Sequence, residues 1–381
     1  MTRRPIAIAV SVASAGLLSV SCGETGPTVS GAFTLSGTVT DSRMAGLAIP
    51  GAAVRLEEGT TASANTDSLG RYQLSGVPGG EVRITVSAPP SYRRTTVEVD
   101  VRSDQTLDIG LPHTGEPPFS GTVWVTPEIL GPDDPSSFGT VTYTGRGMRE
   151  IFDRRANAWI TVNAYLFDVR FGARTVEWQF NPEFGSAEAA EAEIEVFGPA
   201  MGRLPAALLA NLQEVEVNAG QGAFGGNSYN GSILIHTEDP GTRRAVTDGF
   251  LEEVFMHEGA HASLDPDHSD SPGWRAARQA DGVAISDYAQ DFPDREDVAE
   301  TILPYFAVRY RPEQLSASVR WLMTMTTPNR MAYFDSADLD MSPYTPPPSV
   351  AAAPPVSSAL PARQASPGFE DPPIPPRRNR R

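Results

Sequence analysis

One cysteine, five histidines and no long apolar run set this 381-residue chain apart more than anything it holds in abundance. A lone thiol, Cys22, cannot close a disulfide within the chain, so stability has to come from packing and, where a site exists, from metal. The apolar stretch at residues 6–18 is broken by small polar residues and is too short to span a membrane. Concentrated positive charge is missing as well: the formal net charge is -17, and a phosphate-binding surface needs clustered Arg and Lys. Nucleic acid is therefore excluded as a partner. The one obvious basic cluster, Arg377, Arg378, Arg380 and Arg381, reads as a feature of the tail.

Glycine and proline, at 34 each, are what the chain has in quantity, and they fit many turns, short strands and a loose segment. An apolar fraction of 40% makes the chain globular overall, and its length allows two domains with cores plus tails. Arg3 and Arg4 before the apolar stretch give residues 1–21 the build of a signal peptide. Cys22 comes directly after Leu17-Leu18-Ser19-Val20-Ser21, and this start resembles a bacterial lipoprotein signal, with Ser19 where such signals usually carry leucine. The resemblance implies an exported protein held to the membrane of the cell envelope by lipid on Cys22, followed by a polar linker over 22–32.

From 33 to 112 apolar residues alternate in short runs: Phe33, Leu35 and Val39, then Val54 and Leu56, Tyr72 and Leu74, Val82, Ile84 and Val86, Val97, Val99 and Val101, and finally Leu107 and Ile109. Turn residues separate them, as at Asp67-Ser68-Leu69-Gly70 and Pro78-Gly79-Gly80. Six or seven short strands without a helical period predict a small β-sandwich. Ser36-Gly37-Thr38-Val39-Thr40, Ala53-Val54-Arg55-Leu56 and Thr66-Asp67-Ser68-Leu69-Gly70-Arg71-Tyr72 resemble the carboxypeptidase-regulatory-like, transthyretin-like domains of exported bacterial proteins. That likeness implies a spacer or binding module, and the segment carries no nucleophile, acid pair or metal cluster.

A hinge is expected at 113–118 and a second, α+β unit over 119–342. Strands are predicted at 121–126, 139–143, 159–169 and 175–180, with a hairpin turn at Phe171-Gly172-Ala173-Arg174. Helices follow at 186–197 and 204–212, then a strand around Val215 and Val217. The glycine-rich run at 220–227 lacks a following Lys-Ser or Lys-Thr and does not join a strand to a helix start, so it is not a phosphate loop. It leads into a strand at 232–236, which in a peptidase can lie beside an extended substrate. His236 reads as a strand-end histidine. Beyond 343 the proline clusters predict a disordered tail over 343–381.

His257, His261 and His268 fall within twelve residues. Residues 248–264 have a helical pattern, and in it the run His257-Glu258-Gly259-Ala260-His261 places two imidazoles one turn apart on one face, spaced to hold one ion. Zinc suits imidazole nitrogen, and Glu258 stands beside the first histidine, where it serves a water rather than the metal. The third ligand has several candidates: Asp267 or His268 just downstream, or Glu296, with Glu300 four residues on as support for a ligand histidine. Asp294 is placed to cap the helix that carries them.

Ile285-Ser286-Asp287-Tyr288-Ala289 and Glu296-Asp297-Val298-Ala299-Glu300 resemble the downstream part of gluzincin peptidases of the anthrax-lethal-factor type, where a Tyr-Ala pair precedes a Glu-x-x-Ala-Glu helix. The likeness covers roughly residues 230–310, with one residue more than usual between the tyrosine and the first glutamate. It implies a zincin-like metallopeptidase domain with Zn(2+) on His257, His261 and Glu296, Glu258 as general base and Tyr288 steadying the tetrahedral intermediate. The expected protein is thus an all-β sandwich followed by an α+β peptidase acting on peptide or protein substrates. The alternative is a non-catalytic envelope adhesion or scaffold lipoprotein with a structural or vestigial metal. Oligomeric state has no signature in the chain.

Overall fold

The computed structural model describes residues 32–43, 47–57, 62–89, 91–348, 364–365 and 373–377. The signal segment, Cys22 and most of the linker lie outside them. None of the described helices is long and apolar enough to cross a membrane.

The alternating N-terminal runs fold as expected into two four-stranded sheets. Ala32–Asp41 pairs antiparallel with Arg71–Pro78 and parallel with Gln105–Thr106 and Ile109–Leu111. Ser63–Asn65, Ala53–Leu56, Gly80–Ser87 and Thr95–Val101 form the other sheet in that order. Side chains of period two face each other between the sheets, and Leu35, Val39, Val54, Leu74, Ile84 and Val86 are buried there. Trp321, Leu322 and Met325 from the second unit join this core. Arg43, paired with Asp41, donates to the carbonyls of Asp281 and Thr326 at 2.9 and 3.0 Å. The sandwich is therefore packed onto its neighbour. The expected hinge is tied down too: Thr114 N donates to Ser91 O at 2.8 Å, and His113 packs edge-on against Tyr92.

The second unit is a mixed α/β assembly on a six-stranded sheet. Its order is Phe138–Asp153, Ala158–Phe171, Arg174–Phe180, Glu214–Asn218, Ser232–His236 and Gly225–Asn227. The first strand is far longer than expected and forms a ribbon with the second that is closed by a turn at 154–157, while the predicted hairpin turn after Phe171 joins the second strand to the third. Helices pack on one face, where Val215, Val217, Ile233 and Ile235 meet Phe197 and Phe255 in one core. Burying a Phe fully stabilises by about 1.5–3 kcal/mol, so this aromatic layer fixes the helices on the sheet.

Four expectations need correction. Residues 121–126 form no strand; the amides of Val123, Val125 and Thr126 donate to carboxylates, Val123 to Glu300 and the other two to Glu253, instead of to a neighbouring strand. Part of the glycine-rich run is itself a strand, Gly225–Asn227, and it holds the sheet edge. Ser232–His236 is flanked on both sides and cannot be the strand that borders a substrate. The segment expected to be a loose tail also holds ordered parts: Tyr344 is buried and pairs with the carbonyl of Arg203, Gln364–Ala365 pairs with Phe119–Ser120, and Ile374 is buried.

Candidate metal centre

Gly249, in the left-handed region at φ 80°, ends one helix, and the chain turns directly into the next, Leu251–Ser263. All thirteen of its residues are buried, so the two histidines lie inside the protein and not on a solvated face. Glu252 and Glu253 sit in the first turn, where the helix dipole favours acids. Glu252 is paired with Arg203 at 2.7 Å. Gly226 of the edge strand crosses close over this helix: a Cβ there would stand 2.3 Å from Glu258 O and 2.5 Å from His261 Cβ. Only glycine allows that approach.

The helix Asp297–Tyr310 packs across the first, and Glu296 immediately precedes it. Asp294 does not cap it; that carboxylate is paired with Arg278 at 2.8 Å. The helix start is fixed instead by Arg330, buried and bonded to Asp297 at 2.9 Å and Asp281 at 3.0 Å.

These two helices bring His257, His261 and Glu296 together. Nε2 of His257 and Nε2 of His261 are 3.2 Å apart, and Glu296 Oε2 is 3.4 Å from the first and 3.2 Å from the second. Behind them, His257 Nδ1 faces Glu300 Oε1 at 3.2 Å and His261 Nδ1 faces Asp265 Oδ2 at 2.7 Å. Glu300 also accepts from Ser286 Oγ at 2.6 Å and from Val123 N at 2.9 Å. With each Nδ1–H directed at a carboxylate, the two Nε2 atoms and Glu296 Oε2 point the same kind of group at one spot. With both rings neutral two lone pairs oppose each other, and with both charged two N–H groups do; a cation among them removes either conflict.

The spacing fits a small tetrahedral metal ion. Tetrahedral bonds of about 2.0–2.1 Å place ligand atoms roughly 3.3–3.4 Å apart, which is the spread of these three contacts. Electrostatics agree. Burial works against charging His257, yet Glu296 and Glu300 outweigh it and raise its pKa well above the ordinary value. His261 behaves the same way, with Glu296 and Asp265 overcoming burial. Burial likewise opposes ionising Glu296, but His261 and His257 hold it below the usual carboxylate range. The acids that favour charge on these buried imidazoles would also favour a cation among them.

Glu258 is buried beside His257, its Oε2 atom without a hydrogen-bond partner, and burial pushes its pKa up against the pull of the histidines. Tyr288 is buried, and Arg295 Nη2 donates to its hydroxyl at 3.1 Å while Arg295 Nε pairs with Glu296 Oε1. The rival ligands are elsewhere: His268 Nδ1 bonds Tyr333 OH at 2.8 Å, and neither it nor Asp267 belongs to the cluster. His236 is a buried strand-end residue near Arg154 N, at 3.3 Å. Asp265 is the participant that sequence reading missed. Its signal was present, four residues beyond His261 and so one turn further along the same face.

Residues 34–112 match the carboxypeptidase regulatory-like domain. No curated protein matches the sequence. Among solved structures, a type II cohesin–X-dockerin complex from Acetivibrio cellulolyticus is 25% identical over 28% of this chain and 76% of that one, with a TM-score of 0.19. The minor pilin of Streptococcus agalactiae is 17% identical over 23% and 48% of the two chains (TM-score 0.19), and a DUF3823 family protein of Parabacteroides merdae is 15% identical over 37% and 60% (TM-score 0.18). Scores this low say nothing about the metal-site half. What this chain contains is a carboxypeptidase regulatory-like β-sandwich followed by a mixed α/β unit with a buried His-His-Glu cluster able to hold a metal ion.

Proposed function

We propose that the second unit is a zinc-dependent peptidase of the gluzincin type, with His257, His261 and Glu296 as ligands. The observation that carries this reading is the placement of Glu258: a buried carboxylate with an unpartnered oxygen, one residue from a ligand histidine. A purely structural metal site has no use for such a group. Zinc, when bound, would supply a Lewis acid and a lowered pKa for water. Glu258 takes the proton of the attacking water and passes it to the leaving amine, and its raised pKa brings it closer to that task. Tyr288 and the guanidinium it holds, Arg295, supply hydrogen-bond donors for the developing oxyanion. The outer edge of Gly225–Asn227 offers an extended peptide a strand to pair with, next to the helix that carries Glu258. Export and a lipid anchor at Cys22 complete the reading, with the sandwich as the part nearest the membrane.

The test pairs metal content with cleavage of a mixed peptide library. The parent chain is expected to bind one zinc and to lose hydrolysis with a chelator. Glu258→Gln should keep the zinc and lose roughly 10²–10⁴-fold in rate, the usual contribution of a positioned acid–base group. Cleavage by Glu258→Gln at the parental rate would rule the mechanism out. Zinc binding without cleavage by the parent would favour the scaffold reading.

A further inference from the structure

The sheet face turned away from the helices carries two acids, Glu214 and Glu216, two residues apart on one strand and so on the same side. Glu216 is fully buried, and burying a carboxylate is costly unless a cation meets it. The cation comes from the far end of the chain. Arg377 Nη2 lies 3.0 Å from Glu216 Oε1 and pairs with Glu214 as well, while its guanidinium sits 4.7 Å over the Trp159 ring. Trp159 Nε1 donates to Pro375 O at 2.8 Å. Three residues before the arginine, Ile374 is buried against Phe152 and Leu234. The space for it depends on Gly225, where a Cβ would stand 2.7 Å from Ile374 Cδ1.

Aliphatic socket, indole donor and acid pair thus recognise an Ile-Pro-Pro-Arg sequence at three separate points. The same segment walls a cavity of about 470 Å³ whose other side includes His261, Glu296 and Arg295. Residues 373, 375 and 376 are prolines without N–H groups, so the segment cannot add to the sheet edge as a full strand and suits an extended polyproline shape.

We infer that residues 373–377 are a tethered ligand in a groove that binds extended peptides with an aliphatic residue and, three positions on, an arginine. While seated, the tail forms one wall of the metal cleft; a peptide of the same pattern displaces it. Binding at this groove needs neither zinc nor catalysis, so it stands or falls separately from the peptidase reading.

The experiment measures fluorescence anisotropy of a labelled synthetic peptide of residues 372–381 against the zinc-free full chain and its Ile374→Asp/Arg377→Glu variant. A tethered competitor acts at an effective concentration in the millimolar range, so the variant should bind the peptide at least about tenfold more tightly than the parent. Arg377→Glu alone, a surface-accessible change, should give an intermediate gain. A scrambled peptide of the same composition, which keeps the charge but not the spacing, should bind neither protein measurably. Equal affinity for parent and variant, no binding to the variant, or equal binding of the scrambled peptide would each overturn the inference.

Discussion

Two acidic pockets meet at the start of the helix Asp297–Tyr310, and they are solved differently. On one side Asp281 and Asp297 share Arg330, which is itself buried and bonded to both, and whose Nη1 also donates to Val283 O. Burial still pushes the Asp281 carboxyl up, with Arg330 pulling against it. On the other side Glu296, Glu300 and Glu258 are as deeply buried, yet their partners are two imidazoles and the partly exposed Arg295. The first pocket carries its own permanent cation, and its geometry is closed. The second is built from groups whose charge depends on protons, and three of its atoms converge on a common point. Neighbouring residues in one sequence therefore separate a structural network from a site that gains by taking up an ion. The division also has a use: Arg330 pins Asp297, and this sets where Glu296, one residue earlier, can point.

The comparison is broken most severely by Arg330→Met. Losing one partner of a buried charge network typically costs about 3–5 kcal/mol, and chemical denaturation should show a loss of that size with or without zinc. Glu296→Gln should act on the other pocket alone. Zinc content, read by elemental analysis after dialysis, is expected to fall well below one per chain, while the apo protein loses less stability than Arg330→Met, because His257 and His261 can discharge when their acid partner goes whereas Asp281 and Asp297 are left facing no cation. A fall in apo stability as large as that of Arg330→Met would show that the two pockets are one structural network. The smallest change is expected from Asp265→Asn and Glu300→Gln, which leave all three ligands in place. Removing such an outer partner commonly weakens metal affinity about 10–100-fold, and competition with a chromogenic chelator would measure it.

How much of this was legible beforehand follows from the range of each interaction. His257, Glu258 and His261 are neighbours within one helix, and Glu296 and Glu300 within one turn, so spacing alone exposed them. The sandwich was legible because its strands alternate cleanly between core and solvent. The long ribbon was not: Phe138–Asp153 buries only its last three residues, so no core-facing alternation marks it. Arg330 and Val123 act on the site from distant points in the chain, with no local pattern to betray either. Residues 121–126 read as a strand because Val123, Trp124 and Val125 are apolar, but three of their amides end on side chains. Asp267 and His268 drew attention through proximity in sequence; the helix turns them away, and the residue that reaches His261 is Asp265.

Glu300 also bears on how fast an ion could leave. Its carboxylate ties the imidazole of His257 to Ser286 and to the backbone of Val123, in the segment that leads in from the sandwich. An ion held by His257 is released only when that ring swings away, and the ring is restrained by both anchors of Glu300. The residence time of a metal bound here would then depend on local opening of the chain around Val123 as well as on the ligand bonds. The first stretch of the second unit would be the latch on such an ion.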